Sequence, residues 1–370
     1  MKKWRVAELY AGIARTWEAL KSWPRARLSL LADINESAQQ TYIANHPHAP
    51  YFVADLAKTN TSEISVLADG PIDVLLGCPP CQGFSDTGSR NPADEMNNHI
   101  AVFGRHIEGL KPAIVVLENV PLLAASRRFR NFVRRLDRLG YRWDAAVLNA
   151  ALYGSCQSRQ RLILVAARAP LPVPKLPRPT HGLRGIYFNY STGSLSKLDE
   201  DPVTMLGRAP GTGRVTSNVV YLDSPLGQRV TPNLWRVIGE LKELPKKEAR
   251  RLSHVAWHHT PMMIKRMGNV LEGSRWAGGA DHFSQSYGRL HRRGLARTIT
   301  CSFSNPGSGR FWHPTRDRCL TLREAARIQG IEDQFLFPGL PSHSAVLVGN
   351  AIDAALANAA ARAVIQVLES

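Results

Sequence analysis

Seven short apolar runs recur through the first 170 residues, and their texture limits the folds open to the chain. They are VAELYA (6–11), RLSLLA (27–32), PYFVA (50–54), IDVLLG (72–77), AIVVLENV (113–120), WDAAVLNA (143–150) and RLILVAA (161–167). None alternates strictly between apolar and polar, and helix-like stretches around 36–45, 98–110 and 122–139 lie between them. Strands buried on both faces read this way. The pattern therefore predicts a parallel sheet covered by helices on both sides, a doubly wound α/β domain. In such sheets ligands gather beyond the carboxy-terminal strand ends. Asp33, Asp55, Cys81 and Glu118 each follow an apolar run and fall there.

The proline-rich APLPVPKLPRPT (169–180) stops the alternation and reads as a linker or an extended crossing strand. Roughly 181–280 differs in character: GRAPGTGRVTSN, an amphipathic PNLWRVIGELKEL, then the basic and aromatic KKEARRLSHVAWHHTPMMIKRM. A second, smaller domain of mixed structure is expected. The stretch VLVGNAIDAALANAAARAVIQVL (346–368) is an alanine-rich helical pattern opened by Gly349 and Asn350, suited to packing on the first domain.

Charge narrows the partner. Against 30 acidic residues stand 47 Lys and Arg in 370 residues, a formal +17 with a pI near 10.1. That balance favours a polyanion, either nucleic acid or an anionic membrane. No apolar run approaches the ~20 residues of a spanning helix, and MKKWRVAELY has no signal-peptide stretch, so no membrane partner is expected. Five scattered cysteines make no disulfide framework, which points to a reducing cytoplasm. Cys78 and Cys81 form one CxxC, while Cys156, Cys301 and Cys319 stand alone, so no metal site is expected.

Three stretches carry chemistry. In GCPPCQGFS (77–85), Cys78 ends a buried-strand pattern and reads as a packing residue. Pro79 and Pro80 then stop the strand and place Cys81 on a rigid loop, where a reactive thiolate needs an electropositive setting. A thioredoxin-like redox pair is the alternative for CPPC. In AIVVLENVP (113–121), Glu118 is costly to bury unless it has a task or a partner, and helix capping is its plainer role. In QSRQR (157–161), Arg159 and Arg161 share one face of an extended segment, suited to a phosphate or a carbonyl oxygen, although a solvated strand edge looks the same.

Taken together and in this order, PPCQGFS, ENV and QSRQR resemble the cytosine-5 DNA methyltransferase family, bacterial single-chain type. YGRLHRRGLARTIT (287–300), HPTRDRCLTLREAARIQG (313–330) and VGNAID (348–353) look like its late segments. The resemblance implies a Rossmann-like S-adenosylmethionine-dependent methyltransferase sheet with a second, smaller target recognition domain. The expected division is 1–170 catalytic and cofactor-binding, 171–285 target recognition, and 286–370 returning to complete the catalytic domain.

By the same resemblance Cys81 is the nucleophile on cytosine carbon 6. Glu118 holds the ring nitrogen N3 and the exocyclic amine, and Arg161, supported by Arg159, contacts the carbonyl oxygen O2 and the cysteine loop. The target base is flipped out of duplex DNA. A tRNA-methylating branch and a non-catalytic DNA-binding relative are the rival readings. S-adenosylmethionine would be held by Tyr10, Gly12, Ile13, Asp33, Ile34, Asp55, Leu56, Pro80, Asn350 and Ala351, leaving S-adenosylhomocysteine as product. Glu8, Leu9, Tyr10 and Gly12 fit the family's first motif, whereas Ala14 and Arg15 replace its two later glycines. Ala14 is compatible with a right-handed backbone there, and Arg15 with a side chain directed away from the cofactor.

For DNA, Ser85 and Arg90 are the expected contacts on loop 83–99. His254, Trp257, His258 and His259 are candidates in the middle domain. The six arginines of SRRFRNFVRRLDRLG (126–140) cover one side of a helix whose apolar stripe is Phe129, Phe132, Val133 and Leu136. That side is either solvated or a phosphate contact. A cytoplasmic, nucleoid-associated enzyme is implied, with a restriction endonuclease acting on the same site as a further partner that need not bind the chain.

Overall fold

The computed structural model describes residues 2–80, 98–182, 186–189, 194–197, 203–208, 215–222, 229–239, 241, 245–276 and 286–370. The amino-terminal part runs β1 (Trp4–Leu9), α1 (Arg15–Leu20), β2 (Ala26–Asp33), α2 (Glu36–Asn45), β3 (Tyr51–Val53), α3 (Thr61–Leu67), β4 (Val74–Gly77), α4 (His99–Leu110) and β5 (Ile114–Asn119). Then follow α5 (Arg127–Arg138), β6 (Tyr141–Asn149), β7 (Gln157–Ser158) and β8 (Gln160–Arg168). Three short helices stand in the middle segment: α6 (Leu234–Ile238), α7 (Lys246–Arg251) and α8 (Pro261–Gly268). The chain closes with α9 (Leu322–Ile328), α10 (Pro341–Asn350) and α11 (Ala354–Glu369).

All seven apolar runs are strands of one sheet, in the order β6-β8-β5-β4-β1-β2-β3. On its β6 edge the sheet is extended by Val203–Arg208 and Val215–Leu222 of the middle segment. Successive side chains of a strand point to opposite faces, and in β5 both faces are buried. Ile114 and Val116 enter one core with Trp17, Leu20 and Val364, while Val115 and Leu117 enter the other with Phe103, Phe129 and Leu136. Each such side chain contributes roughly 1.5–3 kcal/mol. This two-sided burial explains why the runs lack alternation.

The sheet is not wholly parallel, which corrects the sequence reading. β8 lies antiparallel to both β5 and β6. Between β6 and β8 there is only a 3-10 turn, Ala150–Tyr153, and the two-residue β7. A parallel return needs a crossover of a dozen residues or more, so the chain can only double back.

The carboxy-terminal helical pattern is two helices rather than one, bent by 45°. Asp353 breaks it by capping α11 through the Ala355 N–H. α11 packs against α1 and β8, and the Trp23 indole donates to Glu369 at 2.8 Å. Among the described residues no single helix is long and apolar enough to cross a membrane, and much of the bent pair α10–α11 is buried in the core.

Candidate functional site

Glu118 is the penultimate residue of β5 and is 8 % exposed. A carboxylate so placed needs a partner, and Arg161, the second residue of the returning β8, supplies one with Nε 3.1 Å from Oε1. Beside the pair, Asn119 donates from its side chain to the Pro79 carbonyl at 2.9 Å, tying β5 to the Pro79-Pro80 corner. The antiparallel register of β5 and β8 sets Glu118 opposite Ile163, two positions along from Arg161. The Cys78 thiol is pushed well above its ordinary range by burial, with Glu118 and Glu8 adding to the rise. Cys78 is thus a neutral thiol in the wall, consistent with a packing role.

Arg159 does something different from its neighbour. It is 1 % exposed, and its guanidinium donates to the carbonyls of Ile299 at 2.8 Å and of Gly349 and Ala351 at 3.1 Å each. Burial lowers its pKa to about 9, which leaves it a cation at neutral pH. The sequence pairs the two arginines as one polar face; the structure spends Arg159 on main-chain carbonyls and keeps Arg161 for Glu118.

Around Arg159 lies a buried polar network. Gln157 donates to Gln329 at 2.9 Å and to Asp353 at 3.0 Å and accepts from the Ile299 N–H, while Ser155 donates to Asp353 at 2.7 Å. Gln329 in turn donates to the carbonyls of Val348 and Ala351. Gly349 stands where a Cβ would lie 2.4 Å from the Cys301 nitrogen, so only glycine lets α10 approach the turn at Cys301. Asn350 is exposed and accepts from the Cys301 thiol, and Ala351 is 8 % exposed.

At the other end of the same sheet edge, β1 and β2 finish side by side. The Asp33 carboxylate accepts from the N–H groups of Gly12 at 2.8 Å and Asn35 at 2.9 Å. Ile34 next to it is 66 % exposed, whereas Ile13 and Leu56 are buried. Tyr10 has a left-handed φ of 57°, and its hydroxyl lies 3.2 Å from His99 Nδ1. Burial raises the Tyr10 pKa, and the nearby charges of Arg105, Asp55 and Asp33 bear on the same hydroxyl. Asp55 is held below its usual range by the Lys58 ammonium.

The two departures from the glycine pattern resolve in opposite ways. Ala14 has φ 53° and ψ 39°, so the right-handed backbone expected for it is not what the turn adopts. The turn demands it, because the Ala14 N–H closes onto the Ala11 carbonyl while its own carbonyl receives Glu18 to start α1. Arg15 does point away, to the Gly330 carbonyl at 2.7 Å.

Sequence reasoning missed the residues that fix the Asp55-Leu56 turn. His106 Nε2 donates to the Leu56 carbonyl at 2.9 Å, with Nδ1 3.1 Å from the Thr61 hydroxyl. Arg105 adds bonds to the carbonyls of Leu56 and Ala57. The helical spacing of α4 puts these residues toward the turn, but nothing in the sequence pairs α4 with residue 56. Cys81, Ser85 and Arg90 lie outside the described residues.

In the middle segment three of the four DNA-contact candidates are otherwise engaged. His254 Nδ1 lies 2.9 Å from the Thr321 hydroxyl, Trp257 donates to the Leu320 carbonyl, and His259 accepts from the Cys319 N–H. They dock the segment on the chain ahead of α9. His258 is exposed.

Comparison with known proteins places the chain in a family. The profile of the family described as C-5 cytosine-specific DNA methylase matches residues 4–366. The Type II methyltransferase M.DdeI of Desulfomicrobium norvegicum is 27 % identical over 326 residues, covering 82 % of this chain and 72 % of that protein. The Type II methyltransferase M1.BsuMI of Bacillus subtilis is 28 % identical over 372 residues, covering 95 % and 78 %. Among solved structures, one described as a DNA modification methyltransferase encoded within an E. coli prophage superposes with a TM-score of 0.64 at 20 % identity, covering both chains fully. At that identity the likeness speaks for the fold.

Proposed function

This chain belongs to the C-5 cytosine-specific DNA methylase family, and from that premise we propose which of its residues perform the reaction. It is a DNA cytosine-5 methyltransferase. The observation that carries the assignment of parts is the Glu118–Arg161 pair, set at the same sheet edge as Asp33, Tyr10 and Asp55.

Cytosine carbon 5 is a poor nucleophile. In this reading the Cys81 thiolate adds to carbon 6, and the electron pair of the 5,6 double bond moves to carbon 5. Glu118 holds N3 and the exocyclic amine as charge develops, and Arg161 both orients Glu118 and reaches O2. After methylation a base takes the carbon 5 proton, the double bond re-forms, and the thiolate leaves. Arg159 acts as a positioning residue through the carbonyls it holds. The base reaches this pocket only by leaving the duplex stack.

S-adenosylmethionine supplies the electrophilic methyl group when bound. The residues present fit it. The Asp33 carboxylate is preset by two N–H donors for ribose hydroxyls, exposed Ile34 offers an apolar face, and Asp55 with Leu56 suits an adenine edge and ring. A Cβ built at Gly12 meets nothing within 4 Å, which leaves room for a ligand to approach the backbone. Tyr10, Ile13, Pro80, Asn350 and Ala351 would complete the wall.

Residues 171–285 would choose the sequence, with Ser85 and Arg90 contacting DNA beside the flipped base. The Type II relatives support a place in, or descent from, a restriction-modification system, and with it a nucleoid-associated cytoplasmic enzyme. A cognate endonuclease would share the site without binding this chain.

The test is incubation with tritiated S-adenosylmethionine and duplex DNA carrying 5-fluorocytosine, where fluorine replaces the departing proton. A labelled covalent complex that survives denaturation and disappears in Cys81→Ser is expected. No complex on duplex of varied sequence, but one on 5-fluorocytosine tRNA, would overturn the DNA assignment.

A further inference from the structure

Helix α5 departs from the usual surface pattern, in which charges of both signs are interspersed. Its twelve residues carry six arginines and one acid, Asp137. Phe129, Phe132, Val133 and Leu136 are buried against the sheet, which fixes the rotation of the helix. Arg127, Arg130, Arg134 and Arg138 are all exposed. Their spacing of three, four and four residues makes one stripe, about 16 Å long.

The stripe is not neutralised locally. The carboxylate of Glu108 faces Arg135, off the stripe, at 3.7 Å, and Asp137 accepts from the Trp143 indole. Arg130 donates to the Ala125 carbonyl, a neutral partner that leaves its charge uncompensated. Arg127, Arg134 and Arg138 have no carboxylate partner among the described residues.

Position supplies the second argument. Ser126 caps α5 seven residues beyond Asn119, so the helix opens at the sheet edge where Glu118 and Arg161 stand and then runs down the outer face. An arginine row continuous with the catalytic edge, in a chain of net +17, complements a row of phosphates.

We propose that Arg127, Arg130, Arg134 and Arg138 form a binding surface for the phosphate backbone of duplex DNA flanking the target base, outside the pocket. This rests on the reading that duplex DNA is the substrate. The surface reads no sequence; it lengthens the footprint and raises affinity uniformly.

The experiment uses the full chain and the triple variant Arg127→Ser, Arg134→Ser, Arg138→Ser, whose positions are exposed. Thermal melting confirms that it folds. Fluorescence anisotropy on a long heteropolymeric duplex across a salt series should show the slope of log affinity against log salt reduced by about three. On a duplex shown to be a substrate, the KM for DNA should rise about tenfold or more while kcat stays near wild type.

An unchanged salt slope and KM would overturn the surface. So would a slope that falls only with single-stranded RNA as probe. If the slope falls as expected but the wild-type chain methylates no duplex, the surface stands and the reading of the substrate fails instead.

Discussion

Arg161 Nε sits 3.1 Å from Glu118 Oε1 with both side chains largely enclosed, so the two charges offset each other before any base arrives. Removing one member leaves the other buried and unpaired. Glu118→Gln should therefore lower the single-turnover methyl transfer rate by about 10²–10³ while duplex affinity stays near wild type. Rapid-quench transfer of tritiated methyl would measure it, and a rate within error of wild type would remove Glu118 from the reaction.

Ala14 is held at a positive φ that costs an alanine roughly 1 kcal/mol. Ala14→Gly removes that strain at the expense of a more flexible unfolded chain, so a net gain of up to about 1 kcal/mol is expected. Urea unfolding measures it. A loss of stability would mean that packing of the Ala14 methyl outweighs backbone strain.

Arg15 spans from the cofactor turn to the Gly330 carbonyl, with Asp353, Glu332 and Glu18 around it. Arg15→Ala should weaken S-adenosylhomocysteine binding about tenfold by calorimetry, the equivalent of one lost charged hydrogen bond. It should raise the KM for the methyl donor more than it lowers kcat. Arg15→Lys, which keeps one donor, should recover part of the affinity. Equal behaviour of the two variants would reduce Arg15 to a packing residue.

His313 accepts from the Thr315 N–H at Nδ1, so its proton sits on Nε2 and the ring is neutral. Burial pulls its pKa down to about 4, opposed by Glu324 and assisted by Arg318, Arg316 and Arg289. A depressed histidine contributes stability that is fully present above its ordinary pKa of 6.5 and is lost as pH falls from there toward 4. The chain should lose about 2 kcal/mol between pH 7 and pH 5 from this group. His254, lowered for the same reason, adds to the loss. His313→Asn should flatten the profile in urea titrations; an unchanged slope would place the acid sensitivity elsewhere.

The strands were legible because two-sided burial writes continuous apolar runs, and Glu118 because a carboxylate at a strand end needs a reason. The reversal of β8 was also within reach, since ten residues between β6 and β8 cannot hold a crossover. Arg159 was not. An arginine in alternation with another looks the same whether it faces a substrate or three carbonyls, and its partners lie 140 to 192 residues away. The handedness of Ala14 was hidden for a related reason, because a tight turn closed by its neighbours can impose an unfavourable backbone on a small residue. His254, Trp257 and His259 resembled a basic recognition surface, but their partners, residues 319–321, appear 60 to 67 positions later in the chain.

The seam between α1 and α11 has a consequence for synthesis. Trp17, Leu20 and Trp23 emerge from the ribosome early, and the helix that covers them is made more than 300 residues later. At ordinary elongation rates that is a delay on the order of tens of seconds. Throughout it the nascent protein carries an uncovered apolar flank beside an unfinished cofactor pocket. A polypeptide stalled before α11 would be a client for chaperones rather than an enzyme, and DNA would meet this protein's chemistry only after α11 had been made.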